Sequence, residues 1–134
     1  MTAWQQKGGA PVAMILVVDD EEPVVDLLTD ILEDQGYRVL TAYNGRVALQ
    51  LAQEQHPDLV ISDVMMPYLD GIELTKRLRA GNGTRKVPVI LMSAAMSPDL
   101  AACGADDFIG KPFAIDRIDN LVAHHLDLAN HQKG

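Results

Sequence analysis

A short apolar run near the start of the chain leads directly into four acidic residues. Residues 15–18 (ILVV) are followed by Asp19, Asp20, Glu21 and Glu22. Two like charges about 4 Å apart repel by roughly 4 kcal/mol at an effective dielectric constant near 20, so acids crowded at the end of a buried segment require a compensating charge. A bound divalent cation would supply that charge.

Three more polar residues stand directly after later apolar runs, namely Asp63, Ser93 and Lys111. Ligands of open α/β sheets bind at the carboxyl ends of the strands, so these groups and the acids are expected at one edge. Clustered carboxylates suit Mg²⁺, which prefers about six oxygen ligands at roughly 2.0–2.1 Å. A magnesium ion, an ammonium group and a hydroxyl around a carboxylate favour phosphoryl transfer, where catalysis is mostly alignment and charge neutralisation.

Apolar runs and helical periods alternate along the chain and predict five strand–helix units. A helix that begins at Pro23 has apolar residues spaced three and four apart and is stopped by Gly36. Strands that are apolar throughout are covered on both faces, which predicts an α/β fold with a doubly wound, five-stranded parallel sheet and helices on both faces. The predicted strands cover 14–18, 38–42, 59–62, 89–92 and 108–109, and the helices 23–35, 45–54, 72–80, 98–103 and 114–130.

The composition fits one folded domain with an acidic surface. The chain has 134 residues, 48% of them hydrophobic, and single domains usually run to about 100–150 residues. The net charge of −8, from 11 basic and 19 acidic residues, argues against direct binding to nucleic acid or to an anionic membrane. The single Cys103, interpreted as a small buried residue, excludes an internal disulfide and suits a reducing, cytoplasmic location.

The folded domain is predicted at 13–130, between two polar ends. Residues 1–12 are polar or glycine-rich and are interpreted as a flexible leader, in which Trp4 is an ordinary tail residue. The apolar run 12–18 is too short to span a bilayer and ends in acids, so neither an export signal nor a membrane segment is expected. Residues 131–134 are interpreted as a C-terminal tail.

Four motifs in order resemble the receiver domain of two-component response regulators. They are VVDDE at 17–21, LVISDVMMPYLDG around Asp63, LMSA at 91–94 and GADDFIGKPF at 104–113. The resemblance covers about residues 14–128 and implies a flavodoxin-like fold with strand order 2-1-3-4-5. It implies a sensor histidine kinase or phosphotransfer protein as phosphodonor, a downstream protein partner, and no enzyme activity beyond the domain's own phosphorylation and dephosphorylation.

The resemblance also implies roles for individual residues. Asp63 is similar to the phosphoacceptor, which forms an aspartyl phosphate. Asp19 and Asp20 are similar to Mg²⁺ ligands, and Asp63 with the backbone carbonyl of Met65 would complete the set.

Three further residues match functional positions of the family. Ser93 and Lys111 would hold phosphoryl oxygens, and the Lys111–Pro112 bond matches the family's cis peptide. Phe108 matches the switch aromatic, which turns inward as Ser93 moves toward the phosphate.

The stretch between Ser93 and Lys111 departs from the family pattern. It is shorter than usual by about one helical turn, roughly 3.6 residues, and Pro98 interrupts it. A shortened fourth helix is therefore expected, and dimerisation through the face of that helix, the fifth strand and the fifth helix is not. Met65 and Ala95 stand where the family tunes access of hydrolytic water, with the direction of the effect left open.

Two other functions stay open at this point. A Mg²⁺-dependent phosphatase would use Asp63 as a turning-over nucleophile, although Met65 stands where such enzymes commonly need a second acid. An inert interaction domain would keep the fold without phosphorylation, although the intact set of polar site residues argues against it. Without an output domain, the chain is interpreted as a stand-alone switch or a fragment.

The adjacent His124 and His125 are interpreted as a solvated helix surface rather than a metal pair.

Overall fold

The structure is a computed structural model that describes residues 12–95 and 97–133, with side chains described up to residue 130. Most of the predicted leader, including Trp4, lies outside the described residues, as do Gly134 and the side chains of the predicted tail. Within the described part of the chain, no helix is both long and apolar enough to span a membrane.

Strands and helices alternate through the described residues. Five parallel strands form one sheet in the order β2-β1-β3-β4-β5. This order confirms the predicted doubly wound, flavodoxin-like α/β fold. The elements are β1 Met14–Val18, α1 Glu22–Asp34, β2 Arg38–Ala42, α2 Gly45–Gln55, β3 Leu59–Asp63, α3 Gly71–Ala80, β4 Val89–Ser93, α4 Leu100–Cys103, β5 Asp107–Gly110 and α5 Ile115–Lys133.

Side chains of the strands alternate between the two faces of the sheet. In β1, Ile15 and Val17 join an apolar cluster with α1 and α5. Leu16 and Val18 join a second cluster with α2, α3 and Cys103 of α4, as the two-residue period of a strand requires. Helices therefore cover both faces of the sheet, and Cys103 is buried as predicted.

Two strands extend one residue further than predicted, into the polar groups at their carboxyl ends. β3 ends at Asp63, which pairs with Met92, and β4 ends at Ser93, which pairs with Gly110. Because sheet pairing includes Asp63 and Ser93, the sheet itself holds both side chains, and strands position functional groups more closely than loops do.

The fourth helix, α4, is a single turn, which confirms the predicted shortening, and one arginine anchors its end. The guanidinium of Arg79 in α3 donates to the carbonyl of Gly104, directly after α4, at 2.8 Å. It also donates to the Val87 carbonyl at 2.7 Å and to the Asp106 carboxylate at 2.8 Å. These bonds tie the end of α4 to the segments that enter β4 and β5.

Replacing Arg79 with Ala is expected to lower the free energy of unfolding by about 2 kcal/mol, because hydrogen bonds to charged groups contribute about 1.5–3 kcal/mol and several are lost together. Urea denaturation measures this loss. Arg77→Ala is the matched control: its side chain is 55% exposed and lies 3.4 Å from Glu73, and exposed pairs contribute about 0.2–1 kcal/mol. Equal losses in the two variants would contradict the anchoring role of Arg79.

Candidate functional site

The first acid after β1 is fully buried and already has partners. The side chain of Asp19 is 0% exposed. One carboxylate oxygen of Asp19 accepts from the backbone N–H of Glu21 at 2.9 Å, and the other accepts from Nζ of Lys111 at 2.7 Å. Asp19 is thus fixed in the interior by a turn on one side and a cation on the other.

The carboxylate of Asp63, at the end of β3, lies close to the two acids after β1. Oxygen atoms of Asp19, Asp20 and Asp63 all lie within 4.8 Å of one another. Nζ of Lys111 is 3.4 Å from Oδ1 of Asp63. The predicted carboxylates therefore meet at one point of the sheet edge, with Lys111 beside them and Asp20 exposed toward solvent.

The charges around Asp63 are not balanced by the protein alone. Burial raises the pKa of Asp63 above its usual value of 3.8, and the neighbouring charges of Asp19 and Asp20 raise it further; Lys111 lowers it without cancelling the rise. Burial alone would lower the pKa of Lys111, but its hydrogen bond and charge interaction with Asp19, together with Asp63, raise that pKa above 10.5. Lys111 is therefore protonated at neutral pH, and the site still has room for a further positive charge.

An open cleft of about 320 Å³ leads to the carboxylates. Met65 projects into solvent at its rim with 69% exposure, whereas Ser93 is buried inside. The hydroxyl oxygen of Ser93 accepts from the Ala95 N–H at 3.0 Å, and the carbonyl of Ser93 accepts from the backbone N–H of Lys111 at 2.9 Å. The cleft is lined by Asp20, Glu21, Asp63, Met65, Ser93, Ala94, Ala95 and Lys111.

The lysine reaches the cleft from the turn after β5, where the Lys111–Pro112 peptide bond is cis, as the resemblance implied. Glu21, which we did not single out as a site residue, also lines the cleft, with Oε1 3.7 Å from Nζ of Lys111. Its position directly after Asp19 and Asp20 is the sequence feature that could have identified Glu21 as a site residue.

Two predicted functional residues are not among the described residues that line the cleft, and the first is Asp19, whose buried carboxylate instead pairs with Lys111. The second is Phe108. It lies on β5 opposite Leu91 and is partly buried against the cluster of α2, α3 and α4. Its role as a switch residue stays a prediction.

The interpretation of the histidine pair was wrong for His125. Its side chain is buried, and Nε2 lies 2.9 Å from Oδ2 of Asp107 at the start of β5. Although burial raises the pKa of Asp107, the hydrogen bonds from His125 and from the Phe108 N–H lower it below 3.8 overall. His124 is exposed as predicted. The two neighbours differ because α5 turns one of them toward β5, a long-range contact that helix spacing does not reveal.

The loop after Asp63 is closed at its base. The N–H of Gly71 donates to the Val64 carbonyl at 2.9 Å. A Cβ at Gly71 would collide with the Asp63 carbonyl oxygen, so the backbone of α3 begins directly against the end of β3.

This fold, with its acidic cleft and lysine at the carboxyl edge of the sheet, defines the class of receiver domains. Residues 15–123 match the family model of the response regulator receiver domain. The chain therefore belongs to the response regulator receiver domain family of two-component signal transduction.

Named relatives support this assignment over different lengths. The chain is 34% identical over 116 residues to the polar-differentiation response regulator DivK of Brucella ovis, covering 84% of this chain and 94% of DivK. It is 39% identical over 123 residues to the regulatory protein AtoC of Escherichia coli, covering 89% of this chain but 26% of AtoC. The chain thus spans about a quarter of AtoC.

A solved structure of a similar receiver domain contains a metal ion in its active site cleft. The receiver domain of a sensor histidine kinase from Pseudomonas aeruginosa has a TM-score of 0.81 and 26% identity, over 87% of this chain and 99% of that chain. That structure has a magnesium ion coordinated in its active site cleft.

Proposed function

We propose that this receiver domain accepts a phosphoryl group on Asp63, and that the modification switches its binding to a protein partner. The observation that carries the proposal is the convergence of a lysine and two further carboxylates on Asp63 at the base of an open cleft. The phosphodonor we propose is a sensor histidine kinase or a histidine phosphotransfer protein.

Mg²⁺ fits this cleft. Three carboxylates with oxygen atoms within 4.8 Å of one another form a hard oxygen site. Burial, and after it the charges of Asp19 and Asp20, raise the pKa of Asp63 despite Lys111, so a bound cation would stabilise the ionised site. We propose Asp19, Asp20 and Asp63 as ligands, directly or through water, with the backbone carbonyl of Met65 at the rim. When bound, Mg²⁺ would neutralise the charge that develops on the transferred group.

The residues of the chain then have separate tasks in the transfer. A carboxylate oxygen of Asp63 attacks the phosphorus, so a P–O bond forms as the donor's P–N bond breaks. The donor imidazole, protonated on its other nitrogen, leaves with the electron pair of that bond. The Lys111 ammonium and the Ser93 hydroxyl donate to oxygens of the phosphoryl group.

A regulatory domain is favoured over a phosphatase that turns over small substrates. Met65, at the rim of the cleft, is apolar and cannot act as a general acid. We propose that residues 13–130 form the receiver domain, that 1–12 are a leader and 131–134 a tail into which α5 continues as far as Lys133, and that the domain acts in the cytoplasm. Ser93 and Phe108 are the proposed switch residues.

Phosphorylation by acetyl phosphate is expected to require Mg²⁺. Intact-mass spectrometry of the wild-type protein is expected to show one added phosphate with Mg²⁺ and at least roughly tenfold less with EDTA, because metal ions supply several kcal/mol of transition-state charge stabilisation. Asp20→Asn is expected to reduce the rate at subsaturating Mg²⁺, whereas Asp26→Asn, at an exposed position of α1, is expected to match the wild type. Equal phosphorylation with and without EDTA would overturn the metal assignment.

A further inference from the structure

Tyr68 stands at the tip of a strained turn in the loop between β3 and α3. Its φ angle is +70°, in the left-handed region that bulky residues rarely adopt. The N–H of Leu69 donates to the carbonyl of Pro67 at 2.9 Å, a bond that spans two residues, as in a γ-turn. The turn directs Leu69 into the core and leaves the Tyr68 side chain 83% exposed. A large aromatic residue is thus held against its backbone preference at a position where it stabilises no core.

The exposed ring forms one wall of a groove of about 410 Å³ beside the first turns of α2. Val47, which also lines the groove, is another exposed apolar residue. Among the described residues that line the groove, Arg46 carries the only charge, and it makes no ion pair with any described residue. The lining residues are Asn44, Arg46, Val47, Gln50 and Tyr68.

The loop that carries Tyr68 packs closely against the start of α2. A Cβ at Gly45, the first residue of α2, would collide with the backbone carbonyl of Leu69. The neighbouring Asn44 caps α2 by accepting the Val47 N–H at 2.9 Å. Because Leu69 directly follows Tyr68, the backbone that carries the ring is held close to the start of α2, which lowers the ordering cost of binding at this groove.

We propose that this groove, the α2–loop groove, binds a peptide segment of a partner protein in which an apolar side chain stands beside a carboxylate. The apolar side chain would lie between Tyr68 and Val47, and the carboxylate would pair with Arg46 through the guanidinium fork. The net charge of −8 repels a segment with many acids, so the fitting segment carries little further negative charge. This surface is separate from the phosphorylation cleft and goes beyond the proposed phosphoryl acceptance.

Selection from a phage-displayed library of short random peptides tests the proposal, with depletion of phage that bind a Tyr68→Gly variant. The enriched peptides are expected to share an apolar residue next to Asp or Glu. In NMR titrations of the wild-type protein with a selected peptide, the amide signals of Arg46, Val47 and Tyr68 are expected to shift. Tyr68→Gly and Arg46→Ala are each expected to weaken binding by about tenfold or more, as central aromatic and arginine contacts commonly do.

Matched variants separate docking from folding. Leu128→Ala removes an apolar residue of α5 that is 44% exposed, and Lys76→Ala removes an exposed cation of α3; both are expected to bind the peptide as the wild type does. Tyr68→Gly is expected to unfold at no lower urea concentration than the wild type, because glycine adopts a positive φ without steric cost.

Several results would overturn the proposal. The proposal is wrong if no peptides remain after depletion, if the selected peptides lack acidic residues, or if Tyr68→Gly binds them as tightly as the wild type. It is also wrong if light scattering shows that the wild-type protein self-associates and that Tyr68→Gly abolishes this association, because a second copy of the chain would then occupy the groove. Tyr68→Gly is expected to be phosphorylated by acetyl phosphate at the wild-type rate. Failure of the wild type itself to be phosphorylated would refute the proposed function while leaving the peptide measurements interpretable.

Discussion

An Asp63→Asn variant is expected to remain unmodified by acetyl phosphate and, without Mg²⁺, to be more stable than the wild type. The modification is lost because an amide cannot act as the nucleophile that a carboxylate supplies. Stability rises because Asp63 is buried beside the charges of Asp19 and Asp20, which raise its pKa in the folded state. We expect a gain on the order of 1 kcal/mol, since like charges repel by a few kcal/mol at this spacing and Lys111 offsets part of the repulsion.

The pH dependence of this gain has a defined sign. The folded protein binds a proton at Asp63 more tightly than the unfolded chain does, so the stability that Asp63 contributes is fully present below its usual pKa of 3.8. That stability is lost as the pH rises through the raised folded pKa. The greater stability of Asp63→Asn is therefore expected to develop as the pH rises from 3.8 through the folded pKa of Asp63, and to persist at neutral pH.

Intact-mass spectrometry and urea denaturation with EDTA measure the two effects. Asp70→Asn is the matched control, because it makes the same change in the same loop and Asn caps a helix about as well as Asp. That control is expected to be phosphorylated normally. A phosphate found on Asp63→Asn would refute the assignment of the acceptor, and a loss of stability would refute the electrostatic account.

Replacing Lys111 with Met is expected to lower the free energy of unfolding by about 3 kcal/mol without Mg²⁺. Nζ of Lys111 lies 2.7 Å from a carboxylate oxygen of the fully buried Asp19 and 3.4 Å from Asp63. Removing one partner of a buried ion pair costs about 3–5 kcal/mol, because the remaining charge stays buried without compensation. Saturating Mg²⁺ is expected to recover part of the loss, since the cation takes over the neutralisation.

The pH again distinguishes this cause from a packing defect. The pKa of Lys111 is raised in the folded state, so its contribution to stability is present below the usual value of 10.5 and is lost as the pH rises through the folded pKa. The difference in the free energy of unfolding between Lys111→Met and the wild type is expected to become smaller at alkaline pH. Lys76→Met, at an exposed position of α3, is expected to change stability by less than about 0.5 kcal/mol. A loss in Lys111→Met that neither Mg²⁺ nor pH alters would contradict the account.

Much of this architecture follows from local patterns in the sequence. Unbroken apolar runs predict buried parallel strands, and the carboxyl ends of parallel strands lie together, so the sequence alone places Asp19, Asp63 and Lys111 at one edge of the sheet. The strand order came from the family resemblance and not from the pattern itself. The short spacing around Pro98 was enough to predict a truncated α4.

Long-range contacts account for what the pattern missed. His125 is buried because α5 packs its face against Asp107, which stands 18 positions earlier. Arg79 donates to Gly104, which stands 25 positions later. The sequence pattern of α3 suggests only a solvent-exposed arginine at this position and does not predict that contact. The exposed Tyr68 is missed for another reason, because its left-handed backbone is set by the closure of the loop and not by its own preference.

The closed base of the loop between β3 and α3 holds the tip of that loop apart from the sheet. The bond between Gly71 and Val64 joins its two ends, and loops with adjoining ends behave as compact units on a surface. The residue at position 68 could therefore differ from one such domain to another while Asp63 stays in the sheet and Met65 stays at the rim of the cleft. Recognition and chemistry occupy neighbouring parts of the chain, yet they can diversify separately.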